Sequence, residues 1–173
     1  ATGITKKNGH KSKKQNTISF RLEYEGKIPV EEILKTQPAR LRRIISVDKK
    51  PINQLIYGEN LRVLSSLIKN DAVVGKVGLI YIDPPYATGS SFESRKRDHA
   101  YHDIMEGAEY LEFLRQRLIL LRELLSEEGS IYVHLDQNMA CAVKIIMDEI
   151  FGTKNFRNWI TRKKCNPKNY TRN

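Results

Sequence analysis

The sequence predicts an α/β fold with a mostly parallel sheet and flanking helices. The run Val77–Ile82 is almost continuously apolar, as expected for a parallel strand that is covered on both faces. Segments of this kind alternate along the chain with segments of helical periodicity, and short turns join them. That alternation is typical of layered α/β domains.

The remaining elements follow from the same two patterns. Apolar residues spaced three and four apart predict the helices, and Gly129 and Gly152 are expected to close the last two of them. Residues 40–47 fit either a strand or a helix. The predicted helices cover 30–34, 60–68, 108–126 and 138–151, and the further strands cover 54–58, 131–135 and 156–161.

Length and composition favour one ordinary domain. The 173 residues are enough to bury a core, and 40% hydrophobic with 29% charged residues is a soluble globular balance. No segment approaches the roughly 18 to 20 apolar residues of a membrane span. No secretory signal is recognisable, so we expect a cytoplasmic protein. We divide the chain into a basic flexible arm (1–17), an N-terminal extension (18–52), an α/β core (53–161) and a basic segment (162–173).

The charge is strongly positive. A formal net charge of +10 and a pI near 9.6 favour a polyanionic partner such as nucleic acid. Five basic residues are candidates for phosphate contacts, and a solvated charged surface is the alternative interpretation. They are Arg95, Lys96 and Arg97 in a long polar loop and Lys163 and Lys164 near the end of the chain.

The most informative motif is Asp83-Pro84-Pro85-Tyr86, which directly follows the buried strand. Ligand sites in open α/β sheets lie beyond the carboxyl ends of strands. The Asp83 carboxylate and the Pro84 carbonyl are two acceptors in a turn that prolines stiffen, and they suit the two N–H bonds of an exocyclic amine. Tyr86 offers an aromatic face to a base taken out of the duplex. An ordinary strand-ending turn is the alternative.

The motif and its strand resemble the catalytic motif of DNA amino-methyltransferases, which methylate adenine N6 or cytosine N4. Its extension through Thr88 and Gly89 to Phe92 is similar to that in Mod subunits of type III restriction systems. The segments 57–61, 129–136 and 147–152 also match the family, in the β-class order that places the catalytic motif first. The resemblance covers residues 53 to 165, about two thirds of the chain.

The resemblance implies a Rossmann-like S-adenosylmethionine-dependent core. It assigns Asp83, Pro84, Pro85 and Tyr86 to catalysis, and Glu59, Asn60 and Asp83 to cofactor binding. It implies double-stranded DNA with a flipped-out base as substrate, and a restriction subunit and a second methyltransferase copy as further partners. Asp rather than Ser at the start of the motif favours adenine over cytosine.

Three departures from the family pattern stand out. Glu59 replaces the usual Asp, which keeps the hydrogen bond on a longer arm, and Ala87 replaces a frequent Asn. The Phe-x-Gly-x-Gly cofactor loop does not occur. We therefore expect an incomplete core, the N-terminal portion of an enzyme, inactive by itself and weak in cofactor affinity. The alternatives are a basic DNA-binding module without catalysis and a cytosine-N4 methyltransferase.

A few other residues carry weaker signals. Asp136 either lines the same crevice or caps the helix that follows it. We interpret Cys141 and Trp159 as packing residues. The loop residues His99 and His102 either contact the target strand or are incidental. No histidine has metal-ligand spacing with a cysteine, so we expect no metal site.

Overall fold

The structure, a computed structural model, describes residues 20–42, 53–86 and 107–162. Four helices and a two-stranded parallel sheet make up this part of the chain, which confirms a mixed α/β composition. A larger doubly wound sheet is not found within these ranges. The elements are α1 Val30–Leu34, α2 Asn60–Leu67, β1 Val77–Ile82, α3 Ala108–Leu124, β2 Leu125–Val133 and α4 Gln137–Phe151, followed by a 3-10 turn Thr153–Asn155.

Helix α3 is the centre of the core. It packs against α1, α2 and α4, and Leu118 and Leu120 are fully enclosed although they lie about 200° apart around the helix. The sequence predicted a single apolar stripe, but α3 is buried around most of its circumference. Its apolar neighbours come from α4 on one side and from α1, α2 and β1 on the other.

The segment before α1 is attached to this core through partly buried polar contacts. Tyr24 donates to Glu112 Oε2 at 2.7 Å, and Arg115 of α3 donates to the Ile28 carbonyl at 2.9 Å. Lys27 forms an ion pair with Glu149 of α4 at 3.1 Å. Residues 22–28 therefore lie on the α3–α4 surface.

The strand Val77–Ile82 forms as predicted, but it is covered on one face only. Ile80 packs on Leu121 and Leu124 of α3. Leu79 and Tyr81 point the other way and are 62% and 64% exposed. The prediction of two covered faces was wrong because, among the described residues, the helices lie on a single side of β1.

The predicted strands 54–58 and 156–161 have no regular structure. Leu55 and Tyr57 are almost fully exposed, and so is most of Ile160. A strand is stabilised by ladder hydrogen bonds to a neighbour, and in the described ranges the sheet contains β1 and β2 alone. These apolar runs thus have the composition of strands without a partner to pair with.

The end of α3 also differs from the prediction. The helix ends at Leu124, and β2 begins at once rather than at Ile131. Gly129 lies inside β2, at an irregularity in the register, and does not cap the helix. A Cβ atom there would lie 2.7 Å from the Val77 carbonyl oxygen, so close approach of β1 explains the glycine.

Helix α4 agrees with its prediction, but Cys141 does not. The helix ends at Gly152, whose positive φ of 86° is accessible to glycine without the strain that a side chain would bring. Val143 and Ile146 are buried, whereas Cys141 is exposed. Two residues span about 200° around a helix, which places Cys141 opposite Val143. Trp159, also expected in the core, lies in an irregular segment and is 55% exposed.

None of the helices within the described ranges has the length and apolar character needed to cross a bilayer. Of the ambiguous segment 40–47, the described residues 40–42 lack regular structure, and the rest lies outside the described ranges.

Candidate active site

Parallel pairing of β1 with β2 brings together the residues that follow the two strands. Ile82 is the register partner of Val133, so Asp83 and His134 are the next positions on neighbouring strands. The His134 amide continues the ladder by donating to the Ile82 carbonyl at 2.9 Å. Asp83 Oδ1 lies 3.5 Å from His134 Nδ1, and both side chains are about half exposed. The carboxyl edge of the sheet thus carries a carboxylate beside an imidazole.

Tyr86 completes this cluster. Its hydroxyl lies 3.4 Å from His134 Nε2, and the two rings meet edge to face with centroids 5.9 Å apart. Partial desolvation raises the pKa of Tyr86, and the adjacent Asp83 raises it further through hydrogen bonding and its negative charge. The phenol is therefore a neutral hydrogen-bonding group at physiological pH. The Tyr81 hydroxyl lies 3.5 Å from His134 Nδ1 and joins the cluster from β1.

Asp136 begins α4 at the border of the cluster. Its Oδ1 accepts from the Met139 amide at 3.3 Å, which confirms the interpretation as a helix cap. Its negative charge also contributes to raising the pKa of Tyr86, so the residue is near the crevice as well. The two interpretations of Asp136 are thus compatible.

Glu59 and Asn60 lie at a second place, the N-terminus of α2. Glu59 is the N-cap residue: Oε1 accepts from the Leu61 amide and Oε2 from the Arg62 amide, both at 2.9 Å. Desolvation opposes ionisation, but these amides and the charge of Arg117 outweigh it and lower the pKa of the Glu59 carboxyl. Glu59 is therefore a fixed carboxylate.

Arg117 of α3 holds both residues. It donates to Glu59 Oε1 at 2.9 Å and to Asn60 Oδ1 at 2.7 Å. Its guanidinium carbon lies 3.5 Å from the centre of the Phe113 ring, and the Phe113 carbonyl accepts a further hydrogen bond. Each carboxylate oxygen can accept two hydrogen bonds. Among the described residues, Oε1 of Glu59 accepts two and Oε2 accepts one, from the Arg62 amide, so Oε2 keeps one acceptor position there.

The structure thus places the sequence-predicted residues in two groups. The first group is the sheet-edge cluster, made of Tyr81, Asp83, Tyr86 and His134, with Pro84 and Pro85 in the irregular segment between Asp83 and Tyr86. The second group is Glu59 and Asn60, which both accept hydrogen bonds from Arg117. The candidate phosphate-binding residues and the loop histidines lie outside the described ranges. They are Arg95, Lys96, Arg97, His99, His102, Lys163 and Lys164.

Sequence reasoning missed His134 and Arg117. The spacing of the histidines bears on His134 only as a metal ligand, although its position at the end of the strand after the motif indicates the same sheet edge. Arg117 has no comparable signal, because its role depends on how α3 packs against α2.

Comparison with known proteins gives a family match. Residues 77–173 match the model of the N6/N4 DNA methylases, described as DNA methylase. This range includes β1, the Asp83-Pro84-Pro85-Tyr86 motif and β2, and it spans more than half of the chain.

Curated relatives agree with that match. The type II methyltransferase M.EcaI of Enterobacter cloacae is 43% identical over 157 residues, which cover 88% of this chain and 34% of that protein. The probable HindVI Mod subunit of Haemophilus influenzae is 40% identical over 111 residues, or 64% and 14% of the two chains. The EcoP15I Mod subunit of Escherichia coli is 33% identical over 132 residues, or 62% and 20%. The chain thus spans about a third or less of the length of these relatives.

Proposed function

The chain belongs to the N6/N4 family of DNA methylases, and on that premise we propose that the protein methylates adenine N6 in double-stranded DNA. The methyl donor would be S-adenosylmethionine, and the target a base flipped out of the duplex. The observation that carries this proposal is the sheet-edge cluster, in which the Asp83 carboxylate and the Tyr86 ring follow the end of β1 and meet His134 at the end of β2. The resemblance drawn from the motifs is confirmed at the level of the family.

The proposed chemistry acts on an exocyclic amine. Its lone pair is delocalised into the ring, so the amine is a weak nucleophile. Asp83 accepts from one N–H bond and the Pro84 carbonyl from the other, which draws the nitrogen toward a tetrahedral geometry. The acceptors are held before the reaction, so little reorganisation is needed in the transition state. Tyr86 stacks on the flipped base.

The α2 terminus suits the proposed cofactor. S-adenosylmethionine, when bound, supplies an electrophilic methyl group on its sulfonium. The open acceptor position on Glu59 Oε2 fits one N–H bond of an adenine amino group, and the side chain is 52% exposed. Arg117 occupies Asn60 Oδ1 and leaves the amide N–H₂ of Asn60 to donate. The acceptor of Glu59 and the donor of Asn60 are therefore suited to hydrogen bonds with S-adenosylmethionine.

Substrate and partners follow from the relatives and from charge. Two of the relatives above are named Mod subunits of type III restriction-modification enzymes. We propose that this protein likewise works with a restriction subunit and a second methyltransferase copy, in the cytoplasm. The net charge of +10 supports binding to DNA phosphates. Arg95, Lys96, Arg97, Lys163 and Lys164 are the proposed phosphate contacts.

The test is a methylation assay on the protein expressed from its full open reading frame. The substrates are unmethylated, PCR-amplified bacterial DNA and isotope-labelled S-adenosylmethionine. Asp83→Ala is expected to lower the rate by at least about 100-fold, because it removes one oriented acceptor. Glu128→Ala, which removes an exposed carboxylate from β2, is the matched control and should leave the rate unchanged.

Mass spectrometry of the digested product then identifies the modified base. N6-methyladenine supports the proposal, whereas N4-methylcytosine shows that the base assignment is wrong while the reaction class holds. Full activity in Asp83→Ala rejects the catalytic assignment. DNA binding without any methylation by the wild-type protein shows a binding module instead.

A further inference from the structure

His134 stands between the two proposed catalytic side chains. Nδ1 of its ring lies 3.5 Å from Asp83 Oδ1, and Nε2 lies 3.4 Å from the Tyr86 hydroxyl. The ring thus faces both residues with different nitrogens. The His134 amide donates a hydrogen bond to the Ile82 carbonyl, so strand pairing fixes the Cα position from which this side chain extends.

The proton on a neutral imidazole can be assigned from these neighbours. Nδ1 faces the Asp83 carboxylate, which can only accept, and the Tyr81 hydroxyl, which can accept as well as donate, so this side favours the proton on Nδ1. Nε2 is then an acceptor, and the Tyr86 hydroxyl can donate to it. Asp83 and Nε2 compete for the single phenol proton, and a ring protonated on Nδ1 is the tautomer that offers Nε2 as an acceptor. One imidazole thereby sets the orientation of both side chains.

We propose that His134 is a positioning residue that fixes the Tyr86 ring relative to the Asp83 carboxylate. This inference rests on the proposed function, because these two residues are the ones that would hold the flipped base and its amine. His134 makes no contact with the reacting atoms in this scheme. His134 affects the rate by holding the Tyr86 ring in position. A displacement of about 1 Å in such a group can lower the rate by about 100-fold.

A purely structural role does not fit the surroundings of the ring. The side chain is 44% exposed and lies at the open edge of the sheet rather than in a described core cluster. Truncating a residue in such a place usually changes the free energy of unfolding by less than about 0.5 kcal/mol. Activity and stability are therefore expected to separate in variants of His134.

The experiment is a double-mutant cycle between His134→Asn and Tyr86→Phe, in the same assay and on the same protein. Asn places its amide near the position of Nδ1, so it keeps the contact with Asp83 and loses the contact with Tyr86. Phe keeps the aromatic ring and removes the hydroxyl. His134→Asn should lower kcat at least fivefold in the wild-type background and less than twofold in the Tyr86→Phe background. The Kd for S-adenosylmethionine, measured by calorimetry, should stay unchanged.

The inference is overturned if His134→Asn lowers kcat less than fivefold, or if it costs the same factor in both backgrounds. Tyr132→Phe, which removes a tyrosine hydroxyl from β2, serves as the matched control and should leave kcat unchanged. Urea unfolding of each variant shows whether it folds, and His134→Ala, which also loses the contact with Tyr86, replaces His134→Asn if that variant does not. Asp83→Ala separates the two hypotheses. Full activity in Asp83→Ala rejects the proposed function. Loss of activity in Asp83→Ala together with an unchanged kcat in His134→Asn rejects the positioning role alone.

Discussion

Two clusters in the described part of the chain combine a tyrosine, a carboxylate and a basic side chain, but in opposite surroundings. Tyr24, Glu112 and Arg115 are packed between the N-terminal segment and α3, at distances of 2.7 and 3.2 Å. The counterparts at the sheet edge, Tyr86, Asp83 and His134, lie 3.4 and 3.5 Å apart. The side chains of Glu112 and Arg115 are 9% and 6% exposed, against 55% and 44% for Asp83 and His134.

The difference separates two uses of the same groups. In the buried cluster, Glu112 accepts from Tyr24, Arg115 and Gln116, so its acceptor capacity is largely taken up by the protein. At the sheet edge the contacts are longer and water reaches them, so a ligand can displace or join them. We therefore expect the buried cluster to determine stability, and the open one to determine activity.

The largest effect should come from breaking the buried cluster. Glu112→Ala leaves the Arg115 charge enclosed without its carboxylate and should lower the free energy of unfolding by about 3–5 kcal/mol, measured by urea denaturation. Glu123→Ala on the same helix removes the exposed partner of Arg122 and should change it by less than about 1 kcal/mol. Equal losses in the two variants would contradict the distinction between the clusters.

A pair of hydroxyl deletions sharpens the comparison. Tyr24→Phe removes the donor to an enclosed carboxylate and should cost about 1.5–3 kcal/mol in the same measurement. Tyr86→Phe should leave the unfolding free energy within about 0.5 kcal/mol of wild type, because its hydroxyl lies at an exposed edge. If Tyr86→Phe proves as destabilising as Tyr24→Phe, the sheet-edge cluster is structural.

How far the sequence predicts these regions depends on how local the cause is. The helices α1, α2 and α4 and the strand β1 depend on short-range periodicity, and each forms close to its predicted bounds. The end of β1 before the motif also follows from local sequence, since two consecutive prolines cannot donate to a strand ladder. Gly152 closes α4 for an equally local reason.

The features that were missed depend on partners distant in sequence. Residues 54–58 and 156–161 have strand composition but no described neighbour to pair with. Glycine is needed at position 129 because the Val77 carbonyl approaches closely. The environment of Arg117 depends on the packing of α2 on α3. His134 combines both kinds of cause. Its strand is predicted from local sequence, but its place beside Asp83 depends on the register between β1 and β2.

Glu59 has features of both clusters, and its variant should have an intermediate effect. Glu59→Ala removes the N-cap that accepts from the Leu61 and Arg62 amides, which should cost about 1 kcal/mol of stability. The same change removes the proposed acceptor for the cofactor, so calorimetry should show weaker S-adenosylmethionine binding. Glu59→Asp is the conservative variant. Unchanged cofactor affinity in both variants would reject the binding role of Glu59. Capping of α2 would then be its remaining role.

The smallest effect should have the opposite sign. Tyr110 is 2% exposed, and its hydroxyl has no hydrogen-bond partner among the described residues. Tyr110→Phe removes an enclosed, unpaired polar atom and should raise the free energy of unfolding by up to about 1 kcal/mol at neutral pH. Val143→Ala, which creates a cavity in the same apolar cluster, provides the contrast and should lower it.

The pH dependence of that variant distinguishes the hydroxyl from the ring. Burial raises the pKa of Tyr110 from 10.0 to about 12, and the negative charge of Asp136 adds to the effect. Above pH 10 the unfolded state therefore loses this proton before the folded state does, and stability falls as the pH rises toward 12. Tyr24, whose pKa is raised by burial and by Glu112, adds to the decline in wild type and variant alike. Urea unfolding between pH 9 and pH 11 should show a shallower decline in Tyr110→Phe, and parallel declines would mean that the hydroxyl is solvated.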